Sequence, residues 1–336
     1  MNRQELQRIF EHFRSLKILI IGDVMVDSYV FGKVDRISPE APVPVVTVKR
    51  KEKRLGGAAN VARNIKALGA TPILAGAIGN DLDGDVFIEL MSQEGLSVAG
   101  LLRTKRPTTV KTRIIGNKFQ LMRVDEEEDH PAGETEESII AKHIHHLIKN
   151  EKPDAVIFED YDKGFISRNL IEQVVEICKV ENILTAADPK SRNFLFFRKV
   201  DLFKPNLKEI KDGLVIQIDP VDEKSIASAD KMLREHLHHR LSLITLSDHG
   251  LALTDGVQMI KVPAEEINIA DVSGAGDTVI SIATLCLVAG IDLHSLAQIS
   301  NLAGASVCEK VGVVPINAAE LLDKALIALT DSVNNG

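Results

Sequence analysis

The sequence predicts an α/β protein: a doubly wound, mainly parallel sheet with a small β-sheet lid. Short continuously apolar runs alternate with helical segments, the rhythm of a parallel sheet covered by helices on both faces. Glycine-rich turns stand where runs meet helices. Two stretches of β texture, approximately 24–49 and 108–124, interrupt the alternation and suit one small sheet over the mouth of the main domain. At 336 residues the chain can hold one large domain with an appendage, so residues 1–336 are expected to form one domain with those two lid segments.

The elements follow in order. The first 17 residues mix charges with Leu6, Ile9, Phe10 and Phe13 at helical spacing and lack the apolar region of a signal peptide. Lys17 to Gly22 (KILIIG) is apolar up to a Gly-Asp step, as in a parallel strand buried on both faces. From 28 to 49, Val, Tyr, Phe and Thr interleave with Gly32, Pro39, Pro42 and Pro44, which reads as short strands. Residues 58–68 are Ala-rich and helical, with Gly69 placed to end the helix. A strand over 72–75 and a helix over 83–94 continue the rhythm, and β texture over 108–124 breaks at Gly116-Asn117, which suits a hairpin. The later chain alternates again. Helices are expected over 134–148, 168–180, 206–211 and 223–238, with strands over 155–158, 183–187 and 241–246. Helices over 275–289 and 293–310 are expected to close the chain.

Composition excludes several classes. Forty Lys+Arg against 48 Asp+Glu give a formal charge of −8, so no overall basic field exists to hold a nucleic acid. The longest apolar stretch, near 279–289, is too short to span a bilayer, so no membrane partner is expected. Three scattered cysteines, Cys178, Cys286 and Cys308, show no zinc spacing and fit a reduced, cytoplasmic compartment. The histidine groups 143/145/146 and 236/238/239 lie in polar helical stretches without suitable co-ligands and are expected on exposed helix faces.

The strongest local chemical signal is Asp271-Val-Ser-Gly-Ala-Gly-Asp277-Thr before an apolar helix. Successive N–H groups at a helix N-terminus form an anion pocket, and Asp277 beside it can take a proton from an attacking hydroxyl. The alternative is a tight loop whose acidic residue merely caps the helix. Gly56-Gly57 and Asn60 form a second glycine turn, facing a polyhydroxylated ligand or serving close packing. Asp23 and Asp27, just past the first strand, suit sugar hydroxyls or turn chemistry. Asn206 and Glu209 could hold a hydrated magnesium through water, and they also spell a capping box. Lys190 could aim a cation at a transferring phosphate or sit in a turn. Lys111, Arg113 and Arg123 lie on one face of the β texture, as an anion grip or a solvated edge.

The order of these motifs resembles the ribokinase-like (PfkB-type) carbohydrate kinases from about residue 15 to residue 330. The resemblance implies a β-sheet lid over a doubly wound domain, with ATP and Mg2+ as cofactors. Asp277 is then the catalytic base, and Gly274, Ala275 and Gly276 form the anion hole. Asn206 and Glu209 act at the nucleotide phosphates and magnesium, and Gly56, Gly57 and Asn60 face the sugar. Ser247 and Gly250 lie where the family has a loop beside the nucleotide, and Asp271 lies where some relatives bind potassium. Gly22-Asp-Val-Met-Val-Asp27, Ile37-Ser-Pro-Glu-Ala-Pro-Val-Pro44, Val110-Lys-Thr-Arg113 and Arg123-Val-Asp125 look like the bacterial kinases of D-glycero-D-manno-heptose 7-phosphate. Glu159-Asp160-Tyr161-Asp-Lys163-Gly164 is close to a Ser-Asp-Tyr-x-Lys-Gly pattern of that subgroup, with Asp160 at the substrate and Glu159 as a departure. No His-x-Gly-His motif is present, so the chain resembles the stand-alone kinase form. Expected partners are a phosphosugar and ATP, with a homodimer left open.

Overall fold

The computed structural model describes residues 3–334. Strand β1 (Lys17–Gly22) shows why a continuous apolar run was needed. Ile18 and Ile20 face one hydrophobic core while Leu19 and Ile21 face a second core on the other side of the sheet. Side chains alternate along a strand, so burial on both faces demands an unbroken run. The chain then leaves the sheet for two 14-residue strands, β2 (Val24–Ile37) and β3 (Pro44–Gly57), and enters helix α2 (Ala58–Ala67). After β4 (Thr71–Gly79), α3 (Leu82–Gln93) and β5 (Leu101–Thr104), the hairpin β6 (Val110–Gly116) and β7 (Phe119–Glu126) departs again.

Helix α4 (Glu134–Glu151) returns the chain to β8 (Ala155–Glu159), α5 (Arg168–Glu181) and β9 (Leu184–Asp188). Next come β10 (Leu202–Phe203), α6 (Leu207–Leu214), α7 (Glu223–Leu237) and β11 (Leu241–Thr245). The hairpin β12 (Leu251–Thr254) and β13 (Met259–Val262) precedes the helices α8 (Ala275–Val288), α9 (Leu293–Cys308) and α10 (Ala318–Asn334). An amphipathic helix, α1 (Arg3–Phe13), buries Leu6, Phe10 and Phe13.

Among the described residues the main sheet has nine strands in the order β13-β12-β11-β10-β9-β8-β1-β4-β5. Its pairs from β11 through β5 are parallel, and β12 and β13 close one edge antiparallel. Helices α2, α8 and α9 bury side chains in one core, and α4, α5 and α7 in the other. The doubly wound class is therefore present.

The second sheet has four strands in the order β3-β2-β6-β7, and joins both β-textured excursions through the parallel pair β2–β6. It is the lid, and it differs from expectation in extent. Its first segment runs to Gly57 rather than 49, as a long pair irregular at Phe31/Gly32 and Val34/Arg36, because Pro39 and Pro42 lie in the connecting loop and Pro44 only opens β3. Three other expectations need correction. The chain does not close at residue 310: α10 follows, burying Leu321, Ala325 and Leu329 four residues apart. Strands β5, β10, β12 and β13, of two to four residues each, are too short to leave a periodic signal. His239 is not on an exposed helix face. It is buried beyond the end of α7, its Nε2 bonded to Ser242, and burial pushes its pKa down to about 3.

Candidate active site

In-register parallel pairing brings strand ends side by side. Gly22 of β1 pairs with Glu159 of β8, and Glu159 pairs with Asp188 of β9. Beyond these carboxyl ends lies the crevice in which open α/β sheets bind ligands. Helix α8 points its N-terminus into the same space. Carboxylate oxygens of Glu159, Asp188 and Asp277 lie within 4.8 Å of one another, all three residues buried. A buried cation answers them, Lys204 Nζ at 2.8 Å from Asp188, and the half-buried Lys190 beside it pairs with Glu209.

Asp277 sits in the first turn of α8, three residues after the N-cap Gly274. The cap residue makes no side-chain hydrogen bond, so Asp277 is not the helix cap that the bare motif allowed. Tyr161 donates its hydroxyl to Asp277 Oδ1 at 2.9 Å, while Asp277 Oδ2 is buried without a partner. Burial, reinforced by Asp188, pushes its pKa up to about 6, against the hydrogen bond of Tyr161. A carboxylate so poised accepts a proton readily near neutral pH. Glu159 is held well above the usual carboxylate range by burial and then by Asp188 and Asp277. Burial disfavours charge on Lys204, yet Asp188 and Glu209 hold its pKa above the ordinary value.

The glycines have separate reasons. Gly274 adopts φ 81°, and a Cβ on Gly276 would come within 3.4 Å of Lys204 Nζ. Gly57 has φ 62°, and a Cβ there would meet the Asp23 carbonyl at 2.3 Å. A Cβ on Gly56 would meet Asp27 Oδ2 at 2.4 Å, so the glycine pair lets the lid hinge press on both aspartates. The proposed anion hole is partly engaged, because the Ala275 N–H reaches Val272 O at 3.3 Å.

Several expected site residues have other partners. Asp23 does not present a free carboxylate to a sugar: it accepts the backbone N–H groups of Tyr161, Lys163 and Phe165 at 2.9, 3.1 and 3.1 Å. Asp160 is likewise committed, to Asn193 and to the Asp162 N–H, and burial beside Asp23 raises its pKa to about 7. Asp27 pairs with Arg113 across the lid. Lys111 is held by Asp125 and Glu127, and Arg123, half exposed, by Asp125, so the cationic face is neutralised along its length. Asn206 and Glu209 form a capping box, each side chain accepting the other's backbone N–H, with Glu209 also on Lys190. Asp271 accepts N–H bonds from Ser273 and Gly312, which hold its pKa below the usual range despite partial burial.

Asn206, Ser247, Gly250 and Gly276 line a cavity of about 580 Å³ whose walls include Ile267, Val272 and Val279. Its walls mix polar and apolar side chains, and Gly276, which lines it, lies beside Lys204 and Asp188 of the cluster. A cavity of about 620 Å³ between α7 and the β12–β13 hairpin includes none of the cluster. Sequence reasoning gave no site role to Asp188, Lys204 or Tyr161 and treated Glu159 only as a departure. For Glu159 and Asp188 the available signal was position, each being the last residue of a buried apolar run.

The chain matches a family model described as pfkB family carbohydrate kinase over residues 15–319. It is similar to the bifunctional protein HldE of Methylobacillus flagellatus, 36% identical over 324 residues that make up 96% of this chain and 66% of that one. To the bifunctional protein HldE of Helicobacter pylori J99 it is 37% identical over 299 residues, 88% of this chain and 63% of that one. The chain thus spans just under two thirds of the length of these curated relatives. Its fold is that of Escherichia coli phosphofructokinase-2 in complex with potassium, at a TM-score of 0.77 and 16% identity over 94% and 99% of the two chains. Arabidopsis thaliana ribokinase complexed with ribose and ATP superposes with a TM-score of 0.70 at 17% identity, over 91% and 98%.

Proposed function

Because the chain belongs to the pfkB family of carbohydrate kinases and is an ATP-dependent sugar kinase, we propose that it phosphorylates D-glycero-D-manno-heptose 7-phosphate. The anomeric hydroxyl attacks, and the product is the 1,7-bisphosphate that feeds ADP-heptose and lipopolysaccharide core synthesis. One observation carries the phosphoryl-transfer chemistry: the buried, unpartnered Oδ2 of Asp277 at the N-terminus of α8. The subgroup motifs on the lid, together with the similarity to HldE proteins, support the heptose.

In this reading Asp277 removes the proton of the attacking hydroxyl, and the first-turn N–H groups of α8 receive the transferring phosphoryl oxygens. Lys204, on Asp188, and Lys190, on Glu209, are the cations that would take up developing negative charge. The lid excludes water. Glu209, buried and paired with Lys190, is a hard carboxylate donor that fits a magnesium ion. Glu209 would hold it through water, and when bound it neutralises phosphate charge. Asn60, Gly56 and Gly57 lie on the sugar side, with Arg113 and Lys111 toward the remote phosphate. Potassium would act near Asp271, which rates in potassium against sodium test. The lid exposes Ile37, Val48, Phe119 and Met122, which supports a homodimer closed through this sheet.

The test is product formation from ATP with heptose 7-phosphate, fructose 1-phosphate, tagatose 6-phosphate, fructose 6-phosphate and adenosine. The heptose is expected to give the highest kcat/KM. Faster turnover of another acceptor would reassign the substrate, and no turnover of any would point to a silent binding relative.

A further inference from the structure

Two groups beside the cluster take no part in the steps above: the Tyr161 hydroxyl and the Asp23 carboxylate. We propose that Tyr161 is a positioning residue for Asp277, delivered to it by the 160–165 loop that Asp23 holds in place. The inference rests on Asp277 being the general base.

A carboxylate turns about its last bond and offers two oxygens. Here Tyr161 occupies Oδ1, at 2.9 Å, and leaves Oδ2 as the oxygen free to take a proton. The donor is itself fixed. Asp23 Oδ2 receives the N–H groups of Tyr161 and Lys163, and Oδ1 receives that of Phe165, so one buried carboxylate pins three residues of the loop. Arg106 binds the Lys163 carbonyl at 2.9 Å and also the carbonyls of Glu128 and His130, tying the loop to the segment that leaves the lid. Lys163 Nζ adds a 2.8 Å ion pair to Glu127, which also pairs with Lys111 of β6. The Lys190 ammonium lies 5.7 Å from the centre of the Tyr161 ring. The aspartate after β1 therefore acts at second hand, through the loop and its tyrosine.

The groups facing Asp277 are Glu159 from β8, Asp188 from β9, Lys204 after β10, Asn60 from α2 and Tyr161 itself. Of the neutral ones, Tyr161 donates the hydrogen bond that stabilises the carboxylate. Removing the Tyr161 hydroxyl leaves a less oriented and more basic Asp277. A hydrogen bond to a charged group is worth on the order of ten- to a hundredfold in rate when lost.

Tyr161→Phe is compared with wild type by kcat and kcat/KM across pH, using heptose 7-phosphate or whichever acceptor of the panel turns over fastest. The expected result is a ten- to hundredfold lower kcat, on the order given by that hydrogen bond. KM for ATP and the melting temperature should hold, and the acid limb of kcat/KM should move to higher pH. An unmoved acid limb in the folded variant, with or without a loss of rate, overturns the proposal, because lost packing alone does not change the basicity of Asp277. Should Tyr161→Phe fail to fold, 3-fluorotyrosine at position 161 keeps the ring and donates more strongly, so the limb must move to lower pH, and an unmoved limb again overturns it. Asp277→Asn separates the two readings. Turnover near wild type in that variant removes the base itself, whereas its loss beside an unmoved limb in Tyr161→Phe removes only the positioning role.

Discussion

Asp277 is where activity and stability make opposite demands. Its pKa is about 6 in the folded protein against 3.8 for a free aspartate. Between those values the folded chain keeps a proton that the unfolded chain has lost, so stability falls as pH rises through this window and the full cost remains above it. Asp277→Asn removes the ionisable group. The variant should gain on the order of 1–3 kcal/mol at pH 8, by urea denaturation, with little gain below pH 4. Its kcat should fall by about 10²–10⁴, the usual loss for a positioned base. A variant neither slower nor more stable at pH 8 would mean that the carboxylate is neither base nor burdened by burial. Asp277, Asn206 and Glu209 were legible in the sequence because each sits inside a short motif bound to a helix start. Glu159, Asp188 and Lys204 were not, because parallel register and a two-residue strand set their adjacency, and no local spacing records it. Asp23 was legible as a carboxylate just past the first strand, but its partners are loop N–H groups that only the fold supplies.

At the scale of elements, the lid depends on its entry into α2. Gly57 closes β3, pairs with Val24 and occupies a left-handed conformation against the Asp23 carbonyl. Gly57→Ala should cost at least about 2 kcal/mol, from backbone strain plus a contact that must shift, read as a lower urea midpoint. The strand cations should separate by their surroundings. Arg113 is mostly buried and bonded to Asp27, whereas Arg123 is half exposed on its own strand neighbour. Arg113→Met should raise KM for the phosphosugar well above any change in KM for ATP, with Arg123→Met the milder of the two. Equal and negligible effects would make the face a solvated edge. Long helices and the buried strands of the main sheet were readable from periodicity. The length of β2 and β3 was not, since β3 runs through six consecutive charged residues, Lys49 to Arg54, which carry no strand alternation, and the prolines drew attention to a loop. Helix α10 was passed over although Leu321, Ala325 and Leu329 repeat at helical spacing, because the Gly312–Pro315 turn before it reads as a stop.

For the molecule as a whole, two cores hold the main sheet from opposite sides while the lid keeps apolar side chains in solvent, Phe119 at 75% and Met122 at 55% exposed. Sedimentation should therefore give twice the 36.7 kDa chain mass, and Phe119→Lys with Met122→Lys should return the monomer without unfolding it. A monomeric wild type would leave the lid's apolar surface to another role. The doubly wound class and the presence of a lid were legible because both follow from the order of patterns. The antiparallel edge was not, since β12 and β13 are four residues each. The floor of the crevice has a further consequence. Among the described residues, Glu159, Asp188, Glu209 and Asp277 stand with Lys190 and Lys204, and even with Glu159 kept protonated by its burial the carboxylates outnumber the cations by one. A bare polyphosphate approaching this floor meets like charge, whereas its chelate with a divalent cation brings the compensating charge along. The crevice should therefore bind a nucleotide polyphosphate more tightly with its divalent cation than as the naked anion, and ATP affinities measured with and without magnesium check this.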